Sequence, residues 1–88
     1  MNDRATASAI FSKHAATLVE LFECSVRPGC KVSFDLNDFQ IDCLHETGSF
    51  PSYVVTVYSV DGLAGRAFRD TVATAVGAAF DAFLNNHF

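Results

Sequence analysis

The alternation of apolar and polar residues on both sides of Asn37-Asp38 constrains the fold of this chain more than any other feature. Every second residue of the segment 30–36 is apolar, and the same alternation resumes at Phe39 and runs to His45. Side chains alternate between the two faces of a strand, so one continuous strand would place Leu36 and Phe39 on opposite faces. A two-residue hairpin makes them partners on one face. The sequence therefore predicts a hairpin, with one long strand bulged at Asn37-Asp38 as the alternative.

The hairpin also fixes which other residues face each other. It pairs Phe34 with Ile41 and Val32 with Cys43, so the apolar residues of both strands share one face. The polar residues then share the opposite face. We predict a partner-binding surface there, formed by Lys31, Asp35, Gln40 and Asp42.

The segment before the hairpin predicts an amphipathic helix over residues 4–25. Its apolar residues recur at helical spacing on one side, and Asn2, Asp3 or Thr6 can cap its first turn. Pro28 cannot continue a helix, and Pro28-Gly29 suits the centre of a type II turn. The apolar side consists of Ile10, Phe11, His14, Ala15, Leu18, Leu21, Phe22 and Val26.

The C-terminal half predicts one more strand and one more helix. The stretch YVVTVYSV is rich in residues that strands favour, and Asp61-Gly62 ends it. A helix then begins at Gly65 or Arg66 and runs to about Asn85. Its predicted core stripe is Phe68, Val72, Val76, Ala79, Phe80 and Phe83.

These elements, in the order α-β-β-β-α, predict a single α+β domain over residues 1–88. Two amphipathic helices would cover one face of a three-stranded antiparallel meander, giving a two-layer sandwich. The order resembles that of double-stranded RNA-binding domains, and the resemblance extends over FPSYVVTVYSVDG and the Ala-rich helix that follows. Those domains hold RNA phosphates with lysines at the start of the last helix. Here that place offers Arg66 and Arg69 beside Asp70, so we carry over no function.

Charge and cysteine content limit the partners and the compartment. The chain has six Lys and Arg against ten Asp and Glu, a formal net charge of −4, and the basic residues are scattered. This balance argues against direct binding of nucleic acid through a basic face. Charged residues interrupt the N-terminal segment, which therefore resembles neither a signal peptide nor a membrane span. Three cysteines, an odd number, fit reduced thiols, so we expect a cytoplasmic protein.

Metal, cofactor and catalytic chemistry receive little support from the spacing. Cys24, Cys30, Cys43 and His45 are four soft ligands, but they lack the close C-x2-C pair typical of zinc sites. We expect free core thiols, with a Cys30–Cys43 disulfide as the alternative in an oxidising compartment. His14 lies on the apolar side of the helix, and Asp35 and Asp42 lie on the polar face of the hairpin. Such positions are more typical of structural residues than of catalytic ones. We therefore predict no metal, no cofactor and no enzyme.

Two further surfaces are candidate binding sites. Gly62, Gly65, Arg66 and Arg69 would form a helix N-terminus, which favours anions. The stretch TVATAVGAAF carries no charge, so the outer side of the last helix is small and flat. The alternatives for that side are plain helix propensity, burial under the first helix, or contact with a second protein. We predict self-association there, through Thr71, Thr74, Ala78 and Ala82.

Together these features predict a small protein-interaction module without catalysis. It would be a regulator, adaptor or inhibitor that occludes the surface of another protein, and it would form a homodimer. One concrete form is a phage-type inhibitor of a host nucleic-acid enzyme. The alternative is a phosphate-, nucleotide- or RNA-linked binding domain that uses the Gly62–Arg69 segment.

Overall fold

A computed structural model describes residues 3–48 and 52–88 of the chain. The order of elements is α1 (Arg4–Ser25), β1 (Lys31–Leu36), β2 (Phe39–His45), β3 (Tyr53–Ser59), β4 (Ala64–Arg69) and α2 (Val72–His87). The strands form one antiparallel sheet in the order β1-β2-β3-β4. Both helices pack on one face of it, which confirms the predicted two-layer α+β class.

Helix α1 begins and ends where the sequence predicts. Its cap is Asp3, whose carboxylate accepts a hydrogen bond of 2.7 Å from the backbone N–H of Thr6. That bond also holds the pKa of the Asp3 carboxyl below its ordinary value. After the helix, the Cys30 N–H donates to the Arg27 carbonyl at 2.9 Å, and Gly29 has φ +80°. Pro28-Gly29 is therefore the centre of a type II turn, as predicted.

The hairpin prediction is confirmed residue by residue. Leu36 pairs with Phe39, Phe34 with Ile41 and Val32 with Cys43, so no bulge interrupts the strand. Asn37 takes the left-handed conformation, with φ 38°. Asn tolerates this conformation better than most residues, which lets the chain reverse within two residues.

The prediction that the last helix begins at Gly65 or Arg66 is wrong. Residues 64–69 form a fourth strand, which pairs with β3, and α2 begins only at Val72. A Cβ atom at Gly65 would lie 2.5 Å from the backbone nitrogen of Phe83. The helix therefore approaches so closely that this inward strand position holds no side chain.

Phe68 belongs to that strand and not to the helix core stripe. It points away from the helices and is 44% exposed. The other five residues of the predicted stripe are buried in α2, as expected. The fourth strand also separates this topology from the three-stranded order of double-stranded RNA-binding domains.

Phenylalanine rings fill the core between the two helices and the sheet. Phe11 of α1 stacks on Phe80 of α2 with ring centroids 4.3 Å apart, and it also contacts Phe39 at 4.8 Å. Near the other end of α1, Phe22 packs against Phe34 of β1 at 5.3 Å. These contacts anchor α1 over β1 and β2.

Neither helix in the described part of the chain is long and apolar enough to cross a membrane.

Candidate functional site

The face of the sheet opposite the helices is the candidate site, and we call it the outer face. Strand pairing aligns its residues in three rows that run across all four strands. The rows are Lys31, Leu44, Val54 and Phe68; then Ser33, Asp42, Thr56 and Arg66; then Asp35, Gln40, Tyr58 and Ala64.

The middle row holds a buried polar network. Asp42 is only 6% exposed, and its Oδ1 accepts a hydrogen bond of 3.1 Å from Nε2 of Gln40. The ammonium of Lys31 lies 3.9 Å from its other carboxylate oxygen. Beside it Thr56, 5% exposed, accepts a bond of 3.1 Å from Nε of Arg66. Both buried side chains, Asp42 and Thr56, therefore have hydrogen-bond partners on the outer face.

Apolar side chains border this network on one side. Leu44, Val54 and Phe68 are direct neighbours across three strands, and Phe68 is the most exposed of them. Together with the half-buried Tyr58 they help to line a shallow depression of about 250 Å³ above Asp42 and Thr56. The depression therefore has an apolar wall and a polar floor.

The structure brings the predicted partner-binding residues together. Lys31, Asp35, Gln40 and Asp42 all lie on the outer face, with Asp35 directly opposite Gln40. Asp35 and Asp42 are diagonal neighbours, and Lys31 is beside Asp42, as the hairpin register predicts. Because Asp42 is already engaged by Gln40 and Lys31, its carboxylate suits a structural role better than acid–base chemistry.

Sequence reasoning missed the half of the outer face that β3 and β4 contribute. Thr56 and Tyr58 lie on a strand with apolar residues on both faces, which hides the outward set. Arg66 and Phe68 were predicted in a helix. The period-two alternation of Gly65 and Ala67 with these two larger residues was the signal that could have placed them.

The helix N-terminus predicted at Gly62–Arg69 is wrong, because residues 64–69 form β4 and α2 begins at Val72, so the anion site predicted there loses its geometric basis. Gly62 lies in the β3–β4 turn with φ +86°, and Gly65 is buried beneath α2. Arg66 points to the outer face, while Arg69 donates a 2.7 Å bond to the Phe68 carbonyl. The true start of α2 is capped by the hydroxyl of Thr71.

The predicted self-association surface on α2 is accessible. Thr71 and Thr74 are exposed, and Ala78 and Ala82 are partly exposed. Helix α1 contacts the flank of α2 that carries Phe80, so burial of the small-residue surface beneath the first helix is excluded. Self-association through this surface stays a prediction.

The cysteines are free thiols in different surroundings. The expectation of core thiols is confirmed only for Cys43, which is buried on the core face of β2, and is wrong for Cys24 and Cys30, which are exposed. Burial raises the pKa of the Cys43 thiol from 9.0 to about 11. Within residues 3–48 and 52–88, no group of three or more His, Cys, Asp or Glu residues is arranged to hold a metal ion.

The two histidines singled out from the sequence are both partly buried. His14 borders a shallow groove between α1 and the tip of the hairpin, beside Ile10 and Leu36. His45 stacks on the ring of Tyr53, with centroids 4.4 Å apart.

Comparison of the chain with models of protein families, with curated proteins and with solved structures finds no match.

Proposed function

We propose that this chain is a small non-enzymatic protein-interaction module that binds another protein through its outer face. The observation that carries the proposal is the exposed ring of Phe68 in an apolar row with Val54 and Leu44, beside buried and hydrogen-bonded polar groups, on a sheet face that neither of the two described helices covers. Protein interfaces combine an apolar, aromatic centre with satisfied polar groups around it. The outer face has both parts.

The polar groups favour binding because they already have partners within the chain before another protein arrives. Gln40 and Lys31 hold Asp42, and Arg66 is held by Thr56. Side chains that are already fixed lose less conformational entropy when a complex forms. Tyr and Arg are also enriched among residues that contribute most to binding, and Tyr58 and Arg66 border the depression.

The mode of action that follows is surface occlusion. A partner side chain that fills the depression would contact the ring of Phe68 and displace water from the apolar wall. In this way the module would act as a regulator, adaptor or inhibitor. The exposed thiols of Cys24 and Cys30 favour a reducing compartment, so we place the protein in the cytoplasm.

The proposal is tested by affinity capture from cells that express the chain, with bound proteins quantified by mass spectrometry. Phe68→Ser should reduce the captured partner at least about tenfold, the effect of losing about 1.4 kcal/mol of binding free energy. Val60→Ser is the matched control, because Val60 is 73% exposed but lies in the β3–β4 turn. Equal recovery with both variants would contradict the proposal.

An exposed aromatic ring beside an arginine can also stack a nucleic-acid base, so the experiment needs a second readout. We expect no binding of a fluorescent single-stranded RNA or DNA oligonucleotide, because the net charge of −4 opposes phosphate binding. Binding that Arg66→Glu abolishes would replace the proposed protein partner with a nucleic acid.

A further inference from the structure

Strand β1 is an edge of the sheet, and neither a bulge nor a proline blocks that edge. It pairs with β2 through six consecutive residues without a bulge, and it contains no proline. Proteins block edge strands with bulges, prolines or charged side chains, lysine above all, so Lys31 and Asp35 would oppose pairing unless facing charges match them. The core-face residues Val32, Phe34 and Leu36 are also only half-buried, whereas their partners on β2 are buried.

The phase of the β1–β2 ladder shows which backbone groups face the open edge. Leu36 and Phe39 flank a two-residue turn, so they form a hydrogen-bonded pair, and bonded pairs recur at every second residue. The bond of 3.3 Å from the His45 N–H to the Cys30 carbonyl agrees with this phase. The N–H and C=O groups of Lys31, Ser33 and Asp35 therefore point away from β2.

We propose that a second copy of this chain pairs with β1 across a two-fold axis at Ser33. In this antiparallel register, Lys31 lies opposite Asp35 of the second copy, and Asp35 lies opposite its Lys31. Val32 lies opposite Phe34 in the same reciprocal way. Both charges of the strand are thus matched on the outer face, and its half-buried apolar residues meet on the core face. An isologous contact requires this self-complementarity.

Strand β4, the opposite edge of the sheet, lacks this self-complementarity. The only charged residues of β4 are Arg66 and Arg69, so two-fold pairing of β4 with its copy brings only like charges to the interface. Like charges near one another across strands are destabilising. The charge pattern therefore selects β1 as the pairing edge.

The proposed dimer has an eight-stranded sheet with two outer faces on the same side. It shares Lys31 with the rim of the depression but does not depend on what the depression binds, so the dimer and the proposed function can fail separately. It is an alternative to the predicted self-association through the α2 surface, and one experiment distinguishes the two.

Sedimentation equilibrium tests the proposal on the wild-type chain and on Ser33→Pro. The Ser33 N–H points away from β2, so proline removes an interchain donor and leaves the β1–β2 ladder intact. We expect a wild-type dimer and at least a tenfold higher dimer Kd for the variant. Ala78→Glu, on the small-residue surface of α2, should dimerise like the wild type. A wild type that stays monomeric up to about 1 mM, the weak end of the affinity scale, would overturn the proposal.

A charge-swap experiment tests the register itself. Lys31→Glu alone places acid opposite acid, and Asp35→Lys alone places base opposite base, so each variant should be a monomer. Mixed together, they should form a 1:1 heterodimer, because every facing pair is then of opposite charge. Circular dichroism of each variant verifies the fold. Two folded variants that fail to associate on mixing, or a dimer lost only with Ala78→Glu, would contradict pairing through β1.

Discussion

The two helices contact the same sheet in different ways. Helix α2 lies against β4 so closely that Gly65 faces the backbone of Phe83 directly. Helix α1 reaches the sheet through large side chains, with Phe22 against Phe34 and Phe11 against Phe39. The inward residues Gly65 and Ala67 of β4 are buried, because the backbone of α2 lies directly against them. The inward residues of β1 are half-exposed, because Phe rings separate that strand from α1. The contact of α2 with β4 thus depends on the missing side chain at Gly65, whereas the contact of α1 with β1 and β2 depends on bulky rings. We call these two regions the α2 half and the α1 half.

The largest effect should come from removing a ring in the α1 half. Phe11→Ala deletes the side chain that contacts Phe39, Phe80 and Phe83. A buried Phe replaced by Ala costs about 3–5 kcal/mol, because transfer energy is lost and a cavity remains. We expect a loss of about 4 kcal/mol in the free energy of unfolding, measured by urea denaturation. Phe68→Ala, at a half-exposed ring, is the control and should cost about 1 kcal/mol. Equal losses would show that α1 is not held by its rings.

A somewhat smaller loss should follow from adding one methyl group in the α2 half. Gly65→Ala places a Cβ atom against the backbone of Phe83, which cannot rotate away as a side chain would. Overpacking of this kind costs about 1–3 kcal/mol, and we expect the upper end because α2 as a whole must shift. Urea denaturation again gives the value.

Gly77→Ala is the matched control for that substitution. Gly77 lies within α2, and a Cβ atom there meets nothing within 4 Å. Alanine is a better helix former than glycine by about 1 kcal/mol, so this variant should be more stable than the wild type. Changes of the same sign in both glycine variants would contradict the close approach of α2 to β4.

The smallest effect concerns Cys43, which lies between the halves, opposite Val32 of β1 and Val55 of β3. Its folded pKa of about 11 exceeds the ordinary value of 9.0 because the thiol is buried. Below pH 9 the thiol is neutral in both states. Above it the unfolded chain loses the proton first, so the free energy of unfolding should fall as the pH rises towards 11. Thermal denaturation of wild type and Cys43→Ala at pH 8 and 10 measures this difference. An equal decrease in both proteins would mean that Cys43 is not shielded from solvent.

The structure of the α1 half can be predicted from the sequence, because the residue patterns that determine it are local. Alternation around Asn37-Asp38 sets the register of Phe34 and Ile41, and Pro28-Gly29 marks the turn after α1. Strand β4 could not be predicted from local alternation, because its inward positions carry Gly65 and Ala67 in place of bulky apolar residues. Their size is dictated by a helix that lies close in space, and no local pattern contains that information. The outer face was predicted on β1 and β2 and missed on β4 for the same reason.

The bond between Arg4 and Leu84 bears on how the chain reaches its native state. The Arg4 guanidinium donates to the Leu84 carbonyl at 2.9 Å, across 80 residues of sequence. Every strand, in contrast, pairs only with its neighbour along the chain. Nearby segments find each other quickly, whereas distant ones must first overcome the entropy of closing a long loop. We therefore expect the meander to form before the contact between the first helix and the last.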